Sequence, residues 1–228
     1  MNIWKKVMVG WALAGCLFWL VYILAVEIEF TVLYYYFILF AVGLPLYFNR
    51  VKISSRLRAW KLGGFWKFMI LGYGTVLFEE TFAALFNHLN EGFEVGIFVT
   101  RIGQFWLLNL FAFTGFYLAF YFMIKRYKFS HTEIFFLAGP LGIFLERIFT
   151  NPMLLLTLGP IMIFVYGFMI SLPMLSMDVN RGKVVNRWWK YFIVYVAIIL
   201  ASIIPGAIMG YLREINPLWF PPADMVSF

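Results

Sequence analysis

Apolar residues run through this chain in long blocks separated by short polar breaks, a pattern with neither the two-residue alternation of strands nor the mixed faces of soluble helices. Seven blocks stand out, near residues 7–26, 30–49, 64–86, 105–124, 132–149, 153–177 and 191–212. A helix needs about 20 apolar residues to cross a bilayer, and each block comes close to that length. The expected fold is therefore all-α: one polytopic integral membrane bundle of about seven transmembrane helices, a single domain over 1–228. The fifth block is the shortest and holds Glu146 and Arg147. Gly43 and Pro45 interrupt the second, Gly159, Pro160 and Pro173 the sixth, and Pro205 with Gly206 the seventh. Such breaks free backbone carbonyls that can line a cavity.

Composition strengthens that reading and removes others. The chain is 64% hydrophobic and only 13% charged, where soluble domains carry about 25% charged residues. A net charge of +7 would suggest nucleic acid if it were spread over a polar surface. Here it sits in the breaks, so no nucleic-acid partner is expected. Lys5, Lys6, Arg50, Lys52, Arg56, Arg58, Lys61, Lys125, Arg126, Lys128, Arg181, Lys183, Arg187 and Lys190 make 14 of the 18 basic residues, and alternating spans put them all on one side. Lys67 can snorkel to that side. Arg101, Arg147 and Arg213 fall on the other. The positive-inside rule then places the N-terminus in the cytoplasm and the C-terminus outside, as a multi-pass protein of the cell membrane.

The first block carries a second pattern. Lys5 and Lys6 precede a short apolar core ending in Leu13-Ala14-Gly15-Cys16, which resembles the lipobox of bacterial lipoproteins. The apolar run continues to Val26 with no polar domain behind it, so an uncleaved first helix is expected. Cys16 is the one cysteine, which excludes an internal disulfide and a cysteine zinc cluster. His88 and His131 fall on opposite sides and cannot share an ion. No metal and no cofactor is expected: no lysine stands in mid-span of the last block to hold retinal, and no phosphate-cradling loop is present.

The residues that composition does not explain are Glu79 and Glu80, side by side inside the third block. One charged residue within a bilayer costs roughly 2.5–3.5 kcal/mol on insertion scales and marks a partner or a wet cavity. Glu146, Arg147, Asn109 and His88 are the candidate neighbours, with Asn151 nearby. Arg147 is read either as a charge partner within the site or as a structural lock on Glu79 or Glu80. The two glutamates point about 100° apart on a helix, so one cavity need not take both. An internal echo accompanies them. Gly72, Thr75 and Glu79 recur in spacing as Gly139, Gly142 and Glu146, by duplication or by chance, and each set forms one stripe of small residues that should face the interior.

Glu79-Glu80, Phe105-x-x-x-Asn109 and Arg147-x-x-x-Asn151 together resemble, in order, the motifs of intramembrane CAAX proteases, EExxxR, FxxxH and HxxxN. Ala84 stands where the arginine belongs, and Asn109 and Arg147 replace both histidines, so the resemblance implies an inactive relative. The FEETF segment is similar to the PxEE motif of membrane lycopene cyclases, with Leu77 and Phe78 in place of the proline pair position. The leading expectation is a small transporter or permease whose outer-side carboxylates take a cation, a cationic solute or a coupling proton. The alternatives are a membrane-embedded enzyme acting on a lipid, isoprenoid or prenylated substrate, and a non-catalytic subunit or scaffold. The partners expected are the bilayer itself, a small solute, ion or lipid, and a homo-oligomer or membrane complex.

Overall fold

The computed structural model describes residues 3–26, 28, 30–145 and 150–221. Among them the chain is helical, with no strand and one isolated bridge between Tyr127 and Lys183. The elements are α1 (Ile3–Ala25), α2 (Phe30–Tyr36), a π-helical segment (Phe37–Gly43), α3 (Leu44–Phe48), α4 (Arg50–Ala59), α5 (Gly64–Glu91), α6 (Val95–Arg126), α7 (His131–Leu145), α8 (Pro152–Thr157), α9 (Gly159–Leu175) and α10 (Arg187–Ile215). Four helices are long and apolar enough to span a membrane: Phe30–Phe48, Gly64–Asn90, Val95–Arg126 and Arg187–Ile215. Gly10–Ala25, His131–Phe144 and Gly159–Leu175 are shorter apolar helices. This is a membrane-type helical bundle.

Its centre is α9. Fourteen of the 17 residues of α9 are buried, on every side of the helix, as expected of a helix that is apolar all round. It packs against α7, α5, α1, α8 and α4. Contact at this range depends on glycine. A β-carbon on Gly139 would stand 2.6 Å from Ile163 Cγ2, one on Gly142 would enter the Tyr166 ring, and one on Gly167 would enter the Phe135 ring. Gly72 of α5 lies equally close to Tyr117, and Gly115 of α6 to Ser202 of α10. The stripes through Gly72 and Gly139 therefore do face the interior. By contrast, α10 fully buries only Lys190, Val194, Ile198, Pro205 and Met209, along the side that meets α6, and leaves much of its opposite side apolar and exposed.

The basic breaks gather at one end. Arg58 donates to Met177 O and Ser54 to Leu175 O, joining α4 to the end of α9. The backbone of Lys128 bonds Lys183, and Phe129 bonds Val179. Lys67 is buried, and its ammonium caps α4 through Leu57 O and Arg58 O. Ser130 and Glu133 start α7 with a reciprocal capping box: Glu133 Oε2 accepts from Ser130 N at 2.7 Å and Ser130 Oγ from Glu133 N at 3.2 Å. Glu133 also receives Lys190 at 3.0 Å and the Tyr191 hydroxyl at 2.7 Å. At the opposite end, Thr31 donates to Asn87, Asn90 to Thr31, and Asn90 accepts from Phe30 N.

Three boundaries differ from the sequence reading. The fourth block, expected from 105, begins at Val95, because Gly92 at φ 94° ends α5 and lets the chain restart within three residues. The sixth divides at Leu158, where Pro160 opens α9. The break at Gly43 and Pro45 is a π-helix: Leu44 N bonds Leu39 O, five residues back, and Pro45 has no N–H to offer the preceding turn. Pro140 lies inside α7, a break the pattern of blocks did not single out.

Two outcomes test this packing. Gly72→Ala should lower stability by about 1–3 kcal/mol through overpacking against Tyr117, whereas Gly74→Ala, whose β-carbon meets open space, should be neutral or stabilising; thermal unfolding in detergent reads both. Glu133→Ala strands Lys190, whose side chain is 6% exposed, and should cost about 3 kcal/mol on the same assay.

Candidate functional site: a buried carboxylate and a basic-mouthed groove

Glu79 is the carboxylate the fold buries. It sits on the face of α5 that carries Thr75, Val76 and Asn87, and its residue is 5% exposed. Glu79 Oε1 accepts a short hydrogen bond from the hydroxyl of Tyr34, itself buried on α2. Tyr117, fully buried, stands within electrostatic range and donates to Met169 O of α9 at 3.3 Å. Tyr73 and Thr114 share a hydroxyl contact of 2.5 Å one turn nearer the basic end. An aromatic layer joins α2 and the π segment to the same helix: Phe37 stacks on Phe82 at 4.6 Å, and Phe86 touches both Phe37 and Tyr34. The hydroxyl donor is what makes burial of the carboxyl tolerable, since an unbonded one would cost several kcal/mol.

Three of the other candidates, Glu80, His88 and Asn109, lie on α5 and α6. Glu80 is half-buried, one step round the helix. His88 lies on the face of α5 turned to α6, 3% exposed, with its ring 6.4 Å from Phe93 and 5.6 Å from Phe98, and its Nδ1 is buried without a hydrogen-bond partner. Asn109 is buried on α6, on the stripe that continues to Phe113 and Phe116. Glu146 and Arg147 lie outside the described residues, and with them the expected Arg147 pairing. No cluster of three metal-ligating side chains occurs among the described residues.

Two positions of the protease-like spacing have structural surroundings. Ala84, where the motif calls for arginine, is 0% exposed and packs with Phe105, so a longer side chain has no space. Asn151, the last motif position, caps α8 by accepting from Met153 N at 2.9 Å.

A feature the sequence reading missed lies toward the basic end. A groove of about 890 Å³ separates the π segment, α3 and α4 from α7 and α9. Ile38, Leu39, Phe135, Phe164 and Phe168 make its apolar walls, and Arg50, Arg58, His131, Ser54 and Thr132 its mouth. Among the described residues no acidic side chain lines it. The sequence signal was there in principle: a basic segment, 50–58, directly after a span broken by Gly43 and Pro45. No family model, no curated protein and no solved structure matches this chain.

Tyr34→Phe removes one donor from the buried carboxyl and should destabilise by about 1–3 kcal/mol. Tyr36→Phe, which loses a half-buried bond to the Cys16 carbonyl, should cost about 1 kcal/mol or less. Equilibrium unfolding of the two variants in matched micelles compares them directly.

Proposed function

We propose that this protein is a seven-span carrier of the cell membrane, N-terminus cytoplasmic and C-terminus outside, that moves a small solute with a proton carried on Glu79. The observation that carries the reading is a carboxyl buried within a long membrane-type helix and bonded to a buried tyrosine hydroxyl. Ionisable groups at such depth serve as proton relays or ion sites. The groove supports the same reading as a chamber open toward the cytoplasm. Its inner end is formed by Tyr35 and Ile38, next to Tyr34, so the aromatic layer and the Tyr34–Glu79 bond separate the chamber from the outer half. The π segment between them supplies a local loosening of the helix at which α2 can bend.

A membrane-embedded enzyme that acts on a lipid, isoprenoid or prenylated substrate through Glu79 and Glu80 is less well supported, because neither glutamate lines the groove where such a substrate would sit. The scaffold reading leaves the groove without a use.

Infrared difference spectra on reconstituted protein, recorded between acidic and alkaline pH, test the carrier. A protonated-carboxyl band should appear in the wild type, persist in Glu80→Gln and vanish in Glu79→Gln. Absence of any such band in folded wild-type protein, or its loss in Glu80→Gln alone, overturns the assignment.

A further inference from the structure

We propose that the groove holds one anionic phospholipid, its acyl chain along Ile38, Leu39, Phe135 and Phe164 and its phosphate at Arg50, Arg58 and His131. The inference takes the chamber from the carrier reading and adds its occupant; it does not depend on the protonation of Glu79. A volume of about 890 Å³ lies within the range of cavities built for ligands, about 300–1,000 Å³. The walls are apolar along most of the length, which excludes a small hydrophilic anion as the best fit. The lips are Leu44, Tyr47 and Phe136, all lining residues with 37%, 58% and 44% of their surface exposed. Apolar lips on a membrane-type bundle open sideways to lipid, so the occupant can enter from the bilayer.

The mouth sets the charge. Arg50 donates to Tyr47 O at 2.7 Å and lies 4.2 Å above that ring. Arg58 donates to Met177 O at 3.1 Å. Both anchors are neutral carbonyls, so among the described residues neither guanidinium is paired with a carboxylate, and each has N–H groups left for a phosphate. Asp178, the acidic group that acts on His131, is engaged with Arg181 at 2.7 Å. His131 Nε2 is buried and has no hydrogen-bond partner. Ser54 and Thr132 add hydroxyls at the same rim, although the Ser54 hydroxyl donates to Leu175 O. Two cations, one unpartnered imidazole nitrogen and an apolar slot match a lipid phosphate with its chain. Basic pockets between helices on the cytoplasmic side of a membrane bind anionic headgroups by this logic.

The test is native mass spectrometry of the full chain, released from micelles doped with phosphatidylglycerol or phosphatidylcholine. The wild type should retain one phosphatidylglycerol at least about tenfold more strongly than phosphatidylcholine, the discrimination that about 1.4 kcal/mol of charge-assisted bonding supplies. Arg50→Gln with Arg58→Gln should abolish that preference, while Lys52→Gln with Arg56→Gln, on the same helix but outside the groove, should keep it. Leu39→Trp, which fills the slot and leaves the mouth intact, should lower retention of both lipids and covers the case in which the arginine variant fails to fold. Equal loss in the Lys52/Arg56 variant, full retention in Leu39→Trp, or displacement of the lipid by inorganic phosphate at equal concentration would each overturn the proposal. Retention reads the groove and the infrared band reads Glu79, so either can fail without the other.

Discussion

Everything in this molecule is arranged around a helix with no outside. Because α9 is buried on all faces, its neighbours must approach closely all round it. Most of its partners are themselves bulky and aromatic. The bundle resolves this by placing glycine opposite each large ring or branched chain: Gly142 under Tyr166, Gly139 under Ile163, and Gly167 under Phe135. In a bilayer, where lipid tails are as apolar as the helices, such close packing is the main force that holds helices together. The exposed helix α10 shows the complementary rule, with its buried residues along one side and an apolar face left for lipid.

Polar groups appear where that packing permits them and nowhere by accident. Lys67 and Lys190 are both buried, yet each ends on backbone carbonyls at the basic end, with Glu133 completing the second. Glu79 is different, because its hydroxyl partner comes from α2, a neighbour interrupted one turn later by a π segment. The Tyr34 hydroxyl therefore ties α5 to the element that carries the irregularity.

The groove follows from the same irregularity. Pro45 removes a backbone donor where the π segment ends, and a slot remains between α3 and α4 on one side and α7 and α9 on the other, closed where α4 meets the end of α9. The basic residues of α4 thereby come to stand over an apolar slot. Their charge would be read as topology alone if the slot were filled.

The sequence by itself determined the class of fold, the helical blocks, the clustering of basic residues at one end and the burial of the Gly72 and Gly139 stripes, because each depends on local composition and helical period. The capping box at Ser130 and Glu133 was legible too, and went unread. What only tertiary structure decided was which polar groups meet. Glu79 and Glu80 are adjacent in sequence, but one helical step of about 100° puts the first in the core beside Tyr34 and the second at its edge. His88, on the same helix as the two carboxylates, packs among Phe93 and Phe98. The groove was invisible for the same reason: Arg50 and His131 are 81 positions apart, and only the packing of α4 and α7 against α9 brings them to one mouth. Periodicity reports which way a residue faces on its own helix; the partner across the gap is set by how helices pack.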